Sequence, residues 1–136
     1  MTDCIFCKIV KGEIPSSKVY ENDKFLAFLD IMPLNKGHTL VIPKKHYETV
    51  LDIPEEGLKE MSIIIQKITK ALSLAIAPDG YNVFCNNKKA AGQEVPHLHF
   101  HIAPRFTNDG HTFKWSQGRY REGEMDIIRE KIAKFL

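Results

Sequence analysis

Three histidines at alternate positions, His97, His99 and His101 in the stretch HLHFHIA, are the residues best placed to do chemistry in this chain. Imidazole acts as nucleophile, proton carrier or metal ligand near neutral pH, so a run that gathers three of the six histidines is a functional signal. Side chains two apart on an extended strand share a face, each about 6.6 Å of rise from the next. Leu98, Phe100 and Ile102 then fill the opposite, buried face. The pattern admits three readings. These are polar residues on a solvated face, a His-x-His metal arrangement wanting further ligands and an open position, and a nucleophile with its helpers. A second pair of ligand type, Cys4 and Cys7 in CIFC, has metal-knuckle spacing but needs two more ligands to hold a structural zinc. Cys85 sits in an apolar stretch and reads as core.

The loop before the histidines, NKKAAGQEVP, carries features that suit an anion. Gly92 allows close approach to the backbone. Successive amides near Gly92, Gln93 and Glu94 could form a nest for phosphate oxygens. Asn86, at the end of the preceding strand, has a carboxamide to donate. Taken alone, the loop is a weak signal.

The elements that must position these groups read as follows. KVYENDKFLAFLDI is a strand, a turn at Glu21–Lys24 and a second strand. HTLVIP, from His38 to Pro43, is a short apolar strand. DIPEEGLKEMSIIIQKITKALSLAIAPDG is the main helix, opened by Pro54, Glu55 and Glu56 and closed by Pro78 and Gly80. Its core stripe is Leu58, Met61, Ile65, Ile68, Leu72 and Ala75. Strands follow at Tyr81–Asn86 and at HLHFHIAPR. HTFKWSQGRYREGE reads as irregular, and MDIIREKIAKFL as a terminal helix with Ile128, Ile132 and Phe135 on one face. The expectation is a single α+β domain over residues 1–136, with a mostly antiparallel sheet of about five strands, one long helix and a C-terminal helix.

The chain's 136 residues, 43% of them hydrophobic, can bury a core without staples. Its 19 basic and 17 acidic side chains leave a formal charge of +2, too little to point to nucleic acid or an anionic membrane as main partner. No apolar run reaches the roughly 20 residues of a membrane span, and MTDCIFCKIV lacks the uninterrupted apolar segment of a signal peptide. Three cysteines are an odd number for a disulfide framework. A cytoplasmic chain is expected.

GQEVPHLHFHIAPR resembles the histidine triad (HIT) motif, His-φ-His-φ-His-φ-φ with φ hydrophobic. CIFCKIVKGEIPSSKVYENDKFLAFLDIMPLNKGHTLVIPKKH resembles the amino-terminal half of the Hint-type branch of that family. Together these stretches cover most of residues 4–105; the last 30 or so residues match less clearly. The resemblance implies a HIT-like fold that forms a homodimer, and an enzyme acting on a purine nucleotide without a cofactor for the chemistry. Its substrate would be a nucleoside 5′-monophosphate bonded to a leaving group, as in an adenosine phosphoramidase. His99 would attack the α-phosphorus to give a nucleotidyl-imidazole that water hydrolyses. His101 would contact the phosphate and assist the leaving group, and His38 would support the triad that begins at His97. Asn86, Gly92 and Gln93 match phosphate-side residues and Asp30 the ribose-binding acid. Ile5, Phe6, Ile9, Phe28, Leu29 and Ile31 match positions lining the nucleoside pocket, although on composition alone they are ordinary core.

Some bacterial relatives hold zinc through the same CxxC and two histidines. The resemblance thus implies a structural zinc on Cys4, Cys7, His46 and His97. Glu94 departs from the pattern, since many Hint-type members carry Ser or Thr there. A carboxylate beside phosphate repels it, so Glu94 is expected to turn outward or to favour a cationic amine leaving group. Three other readings stay open: a dinucleoside polyphosphate hydrolase, a zinc metallohydrolase ligated by His97, His99 and His101, and a nucleotide-binding adaptor with little turnover.

Overall fold

The structure, a computed structural model, describes residues 3–112 and 114–136; Phe113, in the stretch read as irregular, lies outside them. The elements run α1 (Ile5–Val10), β1 (Lys18–Glu21), β2 (Phe25–Leu29), β3 (Thr39–Pro43), α2 (Glu55–Ile76), β4 (Gly80–Phe84), a 3₁₀ turn (Lys89–Ala91), β5 (Phe100–Arg105) and α3 (Glu124–Ala133). The strands form one antiparallel sheet in the order β1-β2-β3-β5-β4. The expected α+β class, five-stranded sheet, long helix and C-terminal helix are all present.

The sheet is covered on both faces at β2 and β3, which explains why FLAFL and TLVIP are apolar without alternation. Alternate residues go to opposite cores. Phe25, Ala27, Val41, Leu98 and Ile102 pack with Met61, Ile64, Ile68 and Leu72 of α2. Leu26, Phe28, Leu40 and Ile42 pack with Cys4, Phe6, Cys7 and Ile9 of the α1 segment. At six residues α1 is too short to stand alone in water and is held by this packing. The α2 stripe is shifted from the expected one. Ile64 is buried, Ile65 is a partly buried flank, and Ile76 takes the place given to Ala75, which is exposed. In α3 no residue is buried, so the expected face of Ile128, Ile132 and Phe135 is exposed in the isolated chain.

β5 begins at Phe100 rather than His97. His97 to His99 leave the ladder because their neighbour is a loop, and the Leu98 N–H donates to Tyr47 O at 2.6 Å. The face assignment nonetheless stands. Leu98, Phe100 and Ile102 meet the α2 core, and the histidines lie on the α1 side.

His38 enters β3 through Gly37, which has φ +98, and a Cβ there would come within 2.4 Å of Ile76 Cδ1. Backbone in that region costs a non-glycine residue about 1–2 kcal/mol even before the clash. Gly37→Ala is therefore expected to lower unfolding free energy by about 2 kcal/mol or more in urea titration. An unchanged midpoint would show that the turn relaxes freely.

Candidate active site

Five histidines and two cysteines gather where the α1 segment meets β3 and the start of β5. The hydrogen-bond partners fix how each imidazole is protonated. A backbone N–H can only donate and a carbonyl can only accept, so the ring atom facing either one is determined.

His97, fully buried, faces Pro43 O with Nε2 at 2.8 Å, so Nε2 carries the proton and donates it. Its Nδ1 lone pair then points to Cys4 Sγ at 3.3 Å and Cys7 Sγ at 3.6 Å. Cys7 Sγ also lies 3.4 Å from His46 Nδ1, and the four ligand atoms fall within 4.8 Å of one another. The i, i+3 spacing of Cys4 and Cys7 puts both thiols on one face of the α1 segment. A tetrahedral ion with arms of about 2.0 and 2.3 Å needs N-to-S edges of about 3.5 Å. A ligating histidine commonly gives its other N–H to a carbonyl. The donor set therefore fits a closed tetrahedral metal site.

His99 is buried, and its Nδ1 donates to His97 O at 2.6 Å. Its Nε2 is left with the lone pair, the state a nucleophile needs. The edge of the Phe6–His99 ring pair, 5.2 Å between centroids and nearly perpendicular, braces that ring. Burial holds the His99 pKa below 6.5, with Asp30 and Glu94 pulling the other way.

His38 and His101 form a relay. Leu34 N–H donates to His38 Nδ1 at 3.1 Å, which leaves the proton of the neutral ring on Nε2. That proton is shared with His101 Nδ1 at 2.9 Å, so His101 in turn carries its own proton on Nε2. Burial lowers the His38 pKa, Asp30 opposing, and pushes that of His101 to about 4. Asp30, Oδ2 3.9 Å from His38 Nε2, anchors its turn by accepting Met32 N–H. The atoms of Asp30, His38 and His101 are also close enough to suggest a cation, but His38 Nε2 is a donor here and offers it no lone pair. The turn itself is tied down elsewhere. Asn35 donates to Pro104 O and to Asp109, and His111 Nε2 to Leu34 O. Arg105 pairs with Asp109 at 2.7 Å and holds that carboxyl well below the usual range.

The three triad histidines do not converge on a point. The lone pair of His97 faces the cysteines, that of His99 is on Nε2, and that of His101 is taken by His38. The metallohydrolase arrangement left open above is not the one formed among the described residues.

The anion loop is also narrower than the sequence suggests. Gly92, at φ +88, closes the 3₁₀ turn, and the N–H groups of Gly92 and Gln93 go to Lys89 O and Lys88 O. The Gln93 carboxamide accepts from Lys88 N–H and donates to Glu48 O, both at 2.7 Å. Gln93 thus holds the loop, and of the three amides expected in a nest only that of Glu94 is left without a chain acceptor among the described residues. Asn86 Nδ2 reaches Gly92 O at 3.4 Å. The Glu94 side chain is exposed, as the outward version of its role requires. Phe6, Ile9 and Phe28 are buried, whereas Ile5, Leu29 and Ile31 stand at the surface. Sequence reasoning missed the backbone groups of Leu34 and Pro43, which have no side-chain signature. It also missed Phe84, whose cross-strand pairing with His101 is a matter of register.

A family model described as the HIT domain matches residues 11–108. An adenosine 5′-monophosphoramidase of Schizosaccharomyces pombe is 49% identical over 131 residues, 96% of each chain. The crystal structure of a HIT family member from Bacillus subtilis superposes with TM-score 0.92 at 44% identity, covering 98% of this chain and 97% of that one. A zinc-bound histidine triad family protein from Mycobacterium smegmatis gives 0.77 at 38% identity, covering 98% and 96%.

The lowered histidine pKa values have a consequence for stability. Unfolded, His38 and His101 return to about 6.5, so between pH 6.5 and 4 the unfolded chain binds more protons than the folded one. Unfolding free energy should therefore fall as pH drops from 6.5 to 5, above most carboxylate titration. Urea midpoints across that interval read it, and His38→Gln with His101→Gln should flatten the slope. A pH-independent midpoint would contradict the burial argument.

Proposed function

The chain belongs to the HIT domain family, and on that premise we propose that it is a nucleotide hydrolase that cleaves nucleoside 5′-phosphoramidates or related adenylates through a nucleotidyl-histidine intermediate. One observation carries the reading: the His99 Nδ1–H bond to His97 O, at 2.6 Å, which leaves the Nε2 lone pair free to attack. In the first step that lone pair forms a bond to the α-phosphorus while the bond to the leaving group breaks. Positive charge grows on the His99 ring and is drawn toward the His97 carbonyl. Water then attacks the phosphorus and gives up a proton to solvent, the P–N bond to His99 breaks with its electron pair returning to Nε2, and the monophosphate leaves with the ring neutral again. Imidazole suits both steps, being a good nucleophile when neutral and a good leaving group when phosphorylated.

His101 in its neutral form lends a hydrogen bond rather than a proton. Its Nε2–H is a donor for a phosphate oxygen, and the Glu94 N–H and the Asn86 carboxamide are further donors for the charge developing there. The proton that leaves with an amine comes from the substrate's ammonium form or from solvent. Asp30, half-buried beside His38, retains oxygen lone pairs for ribose hydroxyls. A dinucleoside polyphosphate offers the same α-phosphorus, so the leaving group is the open variable.

Adenosine 5′-phosphoramidate followed by phosphorus NMR tests the reading. AMP is expected from the wild type, with loss of about 10³-fold or more in His99→Ala, and mass spectrometry of acid-quenched enzyme should find one nucleotidyl adduct. AMP formed at an undiminished rate by His99→Ala would overturn it.

The reading includes a structural zinc on Cys4, Cys7, His46 and His97, which when bound would clamp the α1 segment to the start of the histidine run. It also includes a homodimer, supported by the sheet edge at β4 with Tyr81 and Val83 exposed and by the bare apolar residues of α3. Native mass spectrometry reads both: two copies with one zinc per chain are expected, with the metal lost in Cys4→Ser. A metal-free single copy would count against both.

A further inference from the structure

Opposite His101 on the edge strand stands Phe84, its antiparallel register partner. The two rings are stacked, with centroids 4.4 Å apart and planes inclined by only 7°. Cross-strand partners of this kind face the same side of the sheet, so the contact follows from register and needs no unusual backbone. Two further contacts bound the His101 ring. Its Nδ1 takes the His38 proton at 2.9 Å, and its ring meets His99 at 4.9 Å between centroids, tilted by 60°.

A single hydrogen bond at Nδ1 fixes one point of an imidazole but leaves its plane free to tilt about that point, and tilting swings Nε2 on the far side of the ring. A parallel phenyl ring against one face removes that freedom. We propose that Phe84 is a positioning residue, holding the His101 ring plane so that its Nε2–H stays aimed at the phosphate of the nucleotide. The proposal rests on the function given above. It assigns Phe84 no contact with substrate; it acts through His101. Leucine at this position would keep an apolar side chain of similar reach but lose the flat face, whereas tyrosine would keep the face.

Two measurements on Phe84→Leu and Phe84→Tyr test it, with the phosphoramidate as substrate and the folded state of each variant checked by its urea midpoint. The first is proton NMR of the His101 ring without any nucleotide. Stacking should shift its carbon-bound protons upfield in the wild type and in Phe84→Tyr, and that shift should be lost in Phe84→Leu. The second is the split of kinetic constants. Misaiming a donor that acts in the transition state should lower kcat about tenfold or more in Phe84→Leu with KM changed by less than about twofold, and Phe84→Tyr should restore it. A Phe84→Leu enzyme with wild-type kcat would overturn the proposal. So would loss of rate in both variants alike, or a wild type whose His101 protons show no shift. If the wild type releases no AMP while the ring shift is present and responds to Phe84→Leu, the functional reading fails, and the positioning proposal for this reaction fails with it; the stack alone survives as a structural feature.

Discussion

A backbone amide can only donate a hydrogen bond and a backbone carbonyl can only accept one, and that asymmetry orders the site. Three main-chain groups, Pro43 O, His97 O and Leu34 N–H, each face one ring nitrogen. Together they decide the protonation of His97, His99 and His38, and through His38 that of His101. Asp30, whose carboxylate favours the charged form of His38, His99 and His101, is outweighed by burial. Burial supports the arrangement by keeping the rings neutral, with His97 and His101 pushed to about 4. Charge on any one of them would put a proton on a nitrogen whose lone pair now faces the cysteines in His97, stands open in His99, or accepts a hydrogen bond in His38 and His101.

The fold exists, in this respect, to bring those three backbone groups to the rings. Pro43 is the last residue of β3, Leu34 lies in the turn before it, and His97 precedes β5, which pairs with β3. Gly37 makes the turn possible, and the Asn35, Asp109 and Arg105 bonds keep it from moving. Phe6 meets both His97 and His99 edge-on, so the short α1 segment both carries the cysteines and braces the His99 ring.

Much of this was legible in the sequence. The period-two histidines gave the shared face, the apolar run of β3 announced a buried strand, and the long periodic stretch gave α2 within a residue or two. The motif placed His99 and the CxxC pair in their neighbourhoods. What the sequence withheld was of another kind. A six-residue α1 without a side-chain cap leaves no periodic trace. The shift from Ile65 to Ile64 in α2 depends on how the helix is rotated against the sheet, which a stripe of adjacent isoleucines leaves open. The narrowing of the anion loop depends on hydrogen bonds within a 3₁₀ turn, where residue type says little about which amide is free. Phe84 needs the β4–β5 register, and register is a property of two strands at once.

The strand order has a consequence for how the chain is made. β5 lies between β3 and β4 yet is the last strand to be synthesised. Until it emerges, β3, buried along its whole length in the finished sheet, has a partner on one side only. A bare apolar edge of that kind is a template for pairing with another chain. The strand that completes the histidine cluster is thus also the one that closes the nascent protein against aggregation, and the interval before it inserts is when a newborn chain most needs protection.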